Sequence, residues 1–265
     1  MWMERLHAWI ERGMPCVLAT VIESSGSAPR KAGAKLVVSA TGETEGSVGG
    51  GAIEHRCLQE VARVLTSGEP ATLRFVLDTE WRERQTHDEA SSFPGSVTVF
   101  LEPLLPPKEI VAFGAGHIAE RLSRLCEVVG LGFRVCDPRP EFARRERFPQ
   151  ARDVVCADYD DLEARLRLSP ASHCIVLTHA HALDEQVLEQ LLRIPGLPYI
   201  GMVGSSKKIR GIRDRLVAKG LAFGPQVHTP AGLALGGSLP GDIALSILAE
   251  IKLVMEGGRA EPLGG

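Results

Sequence analysis

Residues 109–137 contain the feature that most narrows the choice of fold. The apolar run Glu109–Phe113 leads into Gly114-Ala115-Gly116-His117-Ile118-Ala119, a helical pattern follows, and a second apolar run ends in Asp137. Asp137 lies 21 residues after Gly116, and a dinucleotide-binding fold has its ribose-binding carboxylate at about this spacing. The spacing therefore predicts a Rossmann-like, doubly wound parallel sheet in this half of the chain.

Three further apolar runs repeat the alternation of strand and helix: Val154–Cys156, Cys174–Leu177 and Tyr199–Val203. Ligands of parallel sheets bind outside the carboxyl ends of the strands. We therefore expect one ligand site formed by the residues that follow the strands, namely Gly114, Gly116, His117, Asp137, Thr178, His179, His181, Gly204, Ser205 and Lys207. Each also has a structural explanation, since glycines shape turns, Thr178 can cap a helix and the histidines can bind backbone groups.

Two loops rich in glycine and serine lie in the first part of the chain, on either side of the predicted strand Lys35–Ser39. The first loop contains Gly26, Ser27, Arg30 and Lys31; the second contains Gly49, Gly50 and Gly51 and opens into a helix that carries Glu54. Glycine amides and a helix N-terminus favour an anion, and nearby cations add to this preference. If the two loops meet, they predict a cradle for a phosphate or another polyanionic group. The alternative is that the glycines only serve tight turns and close packing.

The pattern of apolar residues predicts an α/β protein of two domains. Residues 1–103 are expected to form an α+β domain, residues 104–108 a proline-rich linker, residues 109–256 the Rossmann-like domain and residues 257–265 a loose tail. Adjacent prolines at 106 and 107 stiffen the linker. In the first domain, Trp2, Leu6, Trp9 and Ile10 are expected on one face of a helix, a second helix is predicted over Ile53–Leu65, and further strands are predicted over Cys16–Ile22, Thr72–Leu77 and Val97–Leu101.

Composition and charge disfavour several classes of protein. The 265 residues carry a net charge of −3, which argues against a nucleic-acid binder. No apolar stretch is long enough to span a bilayer, so no membrane association is expected. The six cysteines include no Cys-x-x-Cys pair, which favours reduced thiols and a cytoplasmic location and disfavours a zinc site. No metal-ligand set or nucleophile–base pair stands out, so the residues alone do not indicate a catalyst.

The runs Gly26-Ser27-Ala28-Pro29-Arg30-Lys31 and Gly49-Gly50-Gly51-Ala52-Ile53-Glu54 closely resemble the signature of the XdhC/CoxI family, the xanthine dehydrogenase accessory proteins. The similarity continues through the second domain, in Gly114–Ile118, Asp137–Arg139, Thr178–Asp184, Tyr199–Ser205, Thr229–Leu233 and Pro240–Glu250. The resemblance therefore covers most of the chain.

This resemblance implies a chaperone that binds the molybdenum cofactor, as plain molybdopterin or as its dinucleotide. The chaperone would support sulfuration of the cofactor together with a cysteine desulfurase, and deliver it to the apoenzyme of a xanthine dehydrogenase-type molybdenum hydroxylase. The cofactor's phosphate would sit at the two glycine-rich loops or at the Gly114–Ala119 turn. Family members also self-associate, which implies a homodimer.

Two other functions are compatible with the predicted fold. One is an NAD(P)-dependent oxidoreductase in which His179, His181 or Lys207 handles protons. The other is a nucleotide-sensing module without chemistry of its own.

One segment departs from the family. Relatives commonly carry Cys-Gly-Gly just before a strand of the first domain, and the corresponding residues here are Phe93-Pro94-Gly95. A role that needs a thiol at this position must be reassigned or abandoned. The preceding polar segment, Asp78–Ser92, includes His87, and loops of this length are usually functional or disordered.

Overall fold

The structure is a computed structural model that describes residues 2–77 and 95–262. The chain divides into two compact units, Met1–Pro106 and Pro107–Gly265, each with its own apolar core. The predicted polar segment with His87, and Phe93 and Pro94 after it, lie outside the described residues.

The first unit is built on a five-stranded sheet in the order β3-β2-β1-β5-β4, and every neighbouring pair of strands is antiparallel. Helix α2 packs on β1, β4 and β5 and contributes Ile53, Cys57, Val61 and Val64 to the core. The elements are α1 (Trp2–Glu11), β1 (Cys16–Ser25), β2 (Lys35–Ser39), β3 (Thr44–Gly46), α2 (Gly51–Ser67), β4 (Ala71–Leu77) and β5 (Gly95–Leu104).

Most elements of this unit agree with the sequence pattern, although β1 runs beyond its predicted end at Ile22, to Ser25. Three further differences concern β5, β3 and α1. Strand β5 runs on to Leu104, into the segment assigned to the linker. The sequence pattern does not indicate strand β3, because its three residues are all exposed and carry no apolar alternation. The prediction for α1 is wrong at one position: Trp9 is 1% exposed whereas Ile10 is 51% exposed, since a rotation of about 100° per residue turns the next side chain away from the sheet.

The second unit is built on a six-stranded parallel sheet in the order β11-β10-β9-β6-β7-β8. Its elements are β6 (Glu109–Phe113), α3 (His117–Val128), β7 (Gly132–Asp137), β8 (Asp153–Cys156), α4 (Leu162–Leu166), β9 (Ser172–Val176), α5 (His181–Leu191), β10 (Tyr199–Met202), α6 (Ser206–Ala218), β11 (Val227–His228) and α7 (Pro240–Glu256). Chain order reverses between β6 and β9, so this is the doubly wound order of a Rossmann fold. The predicted fold class is confirmed.

Alternating side chains of this sheet form a core on each face. In β6, Ile110 and Ala112 lie in the core beneath α3 and α7, whereas Val111 and Phe113 lie in the core beneath α4, α5 and α6. Burial on both faces explains why the strands are continuously apolar. The helices therefore flank the sheet and leave the carboxyl ends of its strands at one edge.

Tyr199 ties α7 to this sheet. A Cβ atom at Gly201 would lie 2.6 Å from the Tyr199 ring, so the ring can lie along its own strand only because residue 201 is glycine. The Tyr199 hydroxyl donates to Glu250 Oε2 of α7 at 2.6 Å, and the ring stacks on His228 with centroids 4.5 Å apart. The Gly232 amide donates to the same carboxylate oxygen at 2.8 Å, which fixes the loop after β11.

Two glycines of the turn after β6 should differ in their tolerance of a side chain. Gly114 has φ 116°, and a Cβ atom there would lie 2.3 Å from the Leu177 carbonyl oxygen. Gly114→Ala is therefore expected to cost about 2–3 kcal/mol and to lower the thermal midpoint by about 5–10 °C, measured by differential scanning fluorimetry. Gly116→Ala is the matched control, because Gly116 has φ −78° and no described atom within 4 Å of its would-be Cβ. Equal losses in the two variants would contradict this prediction.

Candidate functional site

The two glycine-rich loops of the first unit meet. A Cβ atom at Gly49 would lie 2.9 Å from Pro29 Cγ, so the second loop packs directly on the first. A Cβ atom at Gly95 would lie 2.8 Å from the Ser25 carbonyl oxygen and 3.1 Å from the Ser27 amide nitrogen. The start of β5 therefore packs on the same loop, and this close approach depends on glycine at both positions.

The second loop already holds an anion, the carboxylate of Glu54. Its Oε1 atom accepts hydrogen bonds from the Ser47 hydroxyl at 2.7 Å, the Gly50 amide at 2.9 Å and the Val48 amide at 3.2 Å. Burial alone would raise the pKa of Glu54, but these hydrogen bonds lower it below its ordinary value. The expectation that the loop amides face a ligand is corrected for Gly49 and Gly50, because the Gly49 amide donates to the Ser47 hydroxyl at 3.3 Å and the Gly50 amide donates to Glu54.

The other predicted residues of this unit lie around the filled loop. Arg30 and Lys31 have exposed side chains, Gly26 is exposed with φ 57°, and Ser27 is half-buried. Gly51 begins α2, and no described atom lies within 4 Å of a Cβ built at Gly50. Cofactor binding by these residues stays a prediction.

In the second unit, the turn after β6 is fixed by its neighbours on both sides. The Gly114 amide donates to the Cys136 carbonyl oxygen at 2.8 Å, and a Cβ atom at Gly114 would lie 2.9 Å from the Thr178 amide nitrogen. The turn thus contacts the ends of both β7 and β9. It lies at the point where the strand order reverses, the usual ligand position in this fold.

Asp137 is turned into the protein. It is 0% exposed, and its carboxylate accepts from the Ala115 amide at 2.8 Å and from the Arg139 guanidinium at 2.8 and 2.9 Å. Burial by itself would raise the pKa of Asp137, but the hydrogen bonds from Arg139 and Ala115 lower it. The expected ligand-facing acid is instead an internal group that fixes the glycine turn.

A pocket of about 390 Å³ opens at the N-terminus of α3, beside the start of α7. Within the described residues, no side chain caps α3. The pocket combines an uncapped helix N-terminus with the basic side chains of His117 and Arg121, and it is also lined by the carboxylate of Asp242, whose Oδ2 accepts from the Leu239 amide at 3.1 Å. The helix N-terminus and the two basic side chains favour a phosphate group. Its lining residues are His117, Arg121, Leu239, Pro240, Gly241 and Asp242.

The ends of β9 and β10 are joined by a buried ion pair. Asp184 is 1% exposed; its Oδ1 accepts from the Thr178 hydroxyl at 2.7 Å, and its other oxygen pairs with the Lys208 ammonium. A Cβ atom at Gly204 would lie 3.1 Å from Lys208 Cδ. The structure thus brings the predicted residues Thr178 and Gly204 together through two residues that sequence reasoning did not assign to a site.

The remaining predicted residues at this edge are on the surface. His179, His181 and Lys207 have exposed side chains, and the exposed Ser205 caps α6 by accepting from the Lys208 amide at 3.4 Å. Their predicted contacts with a ligand stay predictions. The position of Asp184 in the first turn of α5 was the available signal for its buried role, since an acid there can bind groups at the end of the preceding strand.

Of the six thiols, five are buried and Cys156, at the end of β8, is exposed. Burial raises the pKa of Cys57 to about 11 and the pKa values of Cys126 and Cys136 to about 12, so these thiols stay protonated near neutral pH. Cys156 Sγ lies 3.9 Å from the Pro138 carbonyl oxygen.

Among residues 2–77 and 95–262, no three His, Cys, Asp or Glu side chains form a group able to hold a metal ion.

The same part of the chain contains no helix with the length and apolar character needed to cross a membrane.

Comparisons with known proteins match both units. The family model described as "XdhC and CoxI family" matches residues 9–76, and the one described as "XdhC Rossmann domain" matches residues 110–251. YqeB of Escherichia coli K12, itself uncharacterised, is 26% identical over 247 residues, which is 92% of this chain but 44% of YqeB. This chain therefore spans less than half the length of that relative.

Two other relatives match over almost their full length. A Bacillus subtilis protein, named as a probable xanthine dehydrogenase subunit, is 23% identical, and the match covers 93% of this chain and 95% of that protein. A crystal structure titled as a xanthine dehydrogenase from Bacillus halodurans has a TM-score of 0.52 at 21% identity and covers 98% of each chain. This structural likeness supports the fold.

The internal hydrogen bonds of Glu54 predict a pH-dependent contribution to stability. Glu54→Gln is expected to lower the free energy of unfolding at pH 7 by about 1–2 kcal/mol, because it removes the charge that the loop amides bind. All three tryptophans precede residue 107, so tryptophan fluorescence in a urea titration follows the first unit. The folded-state pKa of Glu54 lies below the ordinary 4.5, so the difference should be full above pH 4.5 and shrink as the pH falls through the folded-state value.

Glu69→Gln is the control for this measurement. Glu69 is exposed, just beyond the end of α2, and its replacement should change the free energy of unfolding by less than about 0.5 kcal/mol. A Glu54 effect that is absent, or that grows toward low pH, would contradict the prediction.

Proposed function

This chain belongs to the XdhC and CoxI family, and from that premise we propose that it is an accessory protein of a molybdenum hydroxylase. It binds the molybdenum cofactor as cargo, protects it from water, supports its sulfuration and releases it to the apoenzyme. The proposal is supported by the family matches in both units and by the B. subtilis relative, which is named for xanthine dehydrogenase and covers nearly the whole chain.

The observation that carries the mechanism is the pocket at the N-terminus of α3. The cofactor bears a phosphate, and the uncapped amides of α3 together with Arg121 and His117 supply the donors and positive charge that a phosphate requires. The space around Gly116 is open, so the backbone of the turn is accessible to such a group. We therefore assign the phosphate of the cargo to this turn.

The loops of the first unit are the less favourable position for that phosphate. Glu54 occupies the amides of Val48 and Gly50, and its hydrogen-bond partners here are neutral groups, so a second anion beside this carboxylate would be repelled. The charge of Asp137, at the turn before α3, is instead paired with the Arg139 guanidinium. The exposed cations Arg30 and Lys31 remain available at the surface. We assign these two side chains to contacts with the pterin cargo or with the recipient enzyme.

Sulfuration is proposed to take its sulfur from a partner cysteine desulfurase. A thiol must be ionised to carry and transfer sulfur, and the five buried thiols of this chain are unsuited to that role. The exposed Cys156 does not line the pocket at the N-terminus of α3. The proposed role of this chain is therefore to hold the cofactor while the desulfurase acts on it. A cytoplasmic location and a homodimeric state complete the proposal.

The proposal predicts a bound pterin that depends on Arg121. Protein purified from a molybdenum-replete host is expected to release a fluorescent pterin after oxidation. Arg121→Glu should lower the pterin recovered per chain by about tenfold or more, because a charge-assisted contact with phosphate is worth roughly 1.5–3 kcal/mol. Arg124→Glu, on the same helix and also exposed but outside the pocket lining, should retain it to within about twofold.

Circular dichroism and the thermal midpoint establish that both variants are folded. Wild-type protein without pterin would contradict the carrier function. Wild-type pterin that both variants retain equally would leave the carrier function standing and overturn the assignment of its phosphate to α3.

A further inference from the structure

The carboxylate of Asp137 has no acceptor position left for a ligand. A carboxylate offers about four acceptor positions. Oδ1 accepts from the Arg139 amide at 3.0 Å and from Arg139 Nε at 2.9 Å. Oδ2 accepts from Arg139 Nη2 and from the Ala115 amide, both at 2.8 Å. Because all four acceptor positions are used and the residue has no exposed surface, Asp137 cannot accept hydrogen bonds from the hydroxyl groups of a ribose.

The guanidinium of Arg139 lies between this carboxylate and an aromatic ring. Its Cζ atom is 3.7 Å from the centroid of the Phe142 ring, while Nε and Nη2 face Asp137. The side chain is 25% exposed, so one part of it borders solvent. Charge pairing and ring stacking together hold the guanidinium at the end of β7, beside the glycine turn.

We propose that Arg139 determines which ligands bind at the Rossmann turn, by which we mean the turn after β6, residues 114–116. Arg139 does so by filling the position at which a dinucleotide-binding fold receives the ribose. In such a fold the acid at the end of the second strand binds the ribose hydroxyl, and in this protein Arg139 binds that acid instead. The turn therefore excludes ligands that depend on ribose recognition, nicotinamide dinucleotides included. This inference goes beyond the proposed function and does not depend on it, since its test uses nucleotides that contain no pterin.

Removal of the Arg139 side chain should restore ribose recognition. Without the guanidinium, Oδ1 keeps the amide of residue 139 and Oδ2 keeps the Ala115 amide. One acceptor position on each oxygen becomes free, which matches the two donors of a ribose diol. The face of Phe142 that Arg139 covers is uncovered in the same step.

The test compares ADP with 2′,3′-dideoxy-ADP, which lacks both ribose hydroxyls, by isothermal titration calorimetry. Wild-type protein is expected to bind the two equally weakly, within twofold, or to bind neither at millimolar concentration. Arg139→Ala is expected to bind ADP at least tenfold more tightly than the dideoxy compound. Arg144→Ala, which replaces an exposed arginine in the same loop, should behave like wild type.

A wild-type preference for ADP of tenfold or more would overturn the proposal, because Asp137 would then already recognise ribose. A folded Arg139→Ala variant without hydroxyl preference would also overturn it. Since loss of Arg139 leaves a buried carboxylate short of partners, Arg139→Met is the second variant, in which the aliphatic stem can still cover Phe142. If neither variant folds, the wild-type comparison decides alone, and equal affinities or no binding support the proposal. The pterin content of the same preparations reports on the proposed function separately.

Discussion

In each unit a carboxylate of the chain itself accepts hydrogen bonds from the glycine turn that precedes a helix. Glu54 accepts from the loop before α2, and Asp137 accepts from the turn before α3. A carboxylate removed from water is costly unless hydrogen bonds replace its hydration, and the amides left open at a glycine turn provide such bonds. Each turn is therefore held in one conformation before any ligand arrives. Both units therefore show a carboxylate bound by a glycine turn, although one sheet is antiparallel and the other is parallel.

In the second unit, neighbouring residues of the turn after β6 have different surroundings. Gly114 packs against the peptide between Leu177 and Thr178, where no side chain fits, whereas Gly116 borders open space. Asp137 binds the amide of the residue between them. One side of the turn is thus committed to the sheet, and the other faces the pocket beside His117 and Arg121. Accessibility within this short turn therefore changes over two residues.

The fold could be predicted because its signals are local: apolar runs, glycine turns and the spacing to Asp137 fix the doubly wound sheet. Strands of two or three residues such as β11 and β3 carry too little pattern to be recognised. The candidate site was harder to predict, because the hydrogen-bond partner of a polar side chain depends on residues that are distant in the sequence. The sequence analysis places Lys207 in the ligand site, whereas Lys208 is the lysine that pairs with the buried Asp184. Which of two adjacent lysine side chains faces the sheet depends on the residue at which α6 begins. The pairing of Asp137 with Arg139 likewise requires knowing that the acid is buried.

The distribution of thiols has a practical consequence. Five cysteines are buried, and burial raises the pKa of four of these thiols well above its ordinary value, which makes them slow toward electrophiles. Cys156 is exposed and lies against Pro138, between Asp137 and Arg139 in sequence. A maleimide dye should therefore attach at one point of the native chain, next to the Rossmann turn. An environment-sensitive fluorescent dye can therefore be attached to Cys156, and ligand titrations at this turn can be followed by fluorescence without an engineered cysteine.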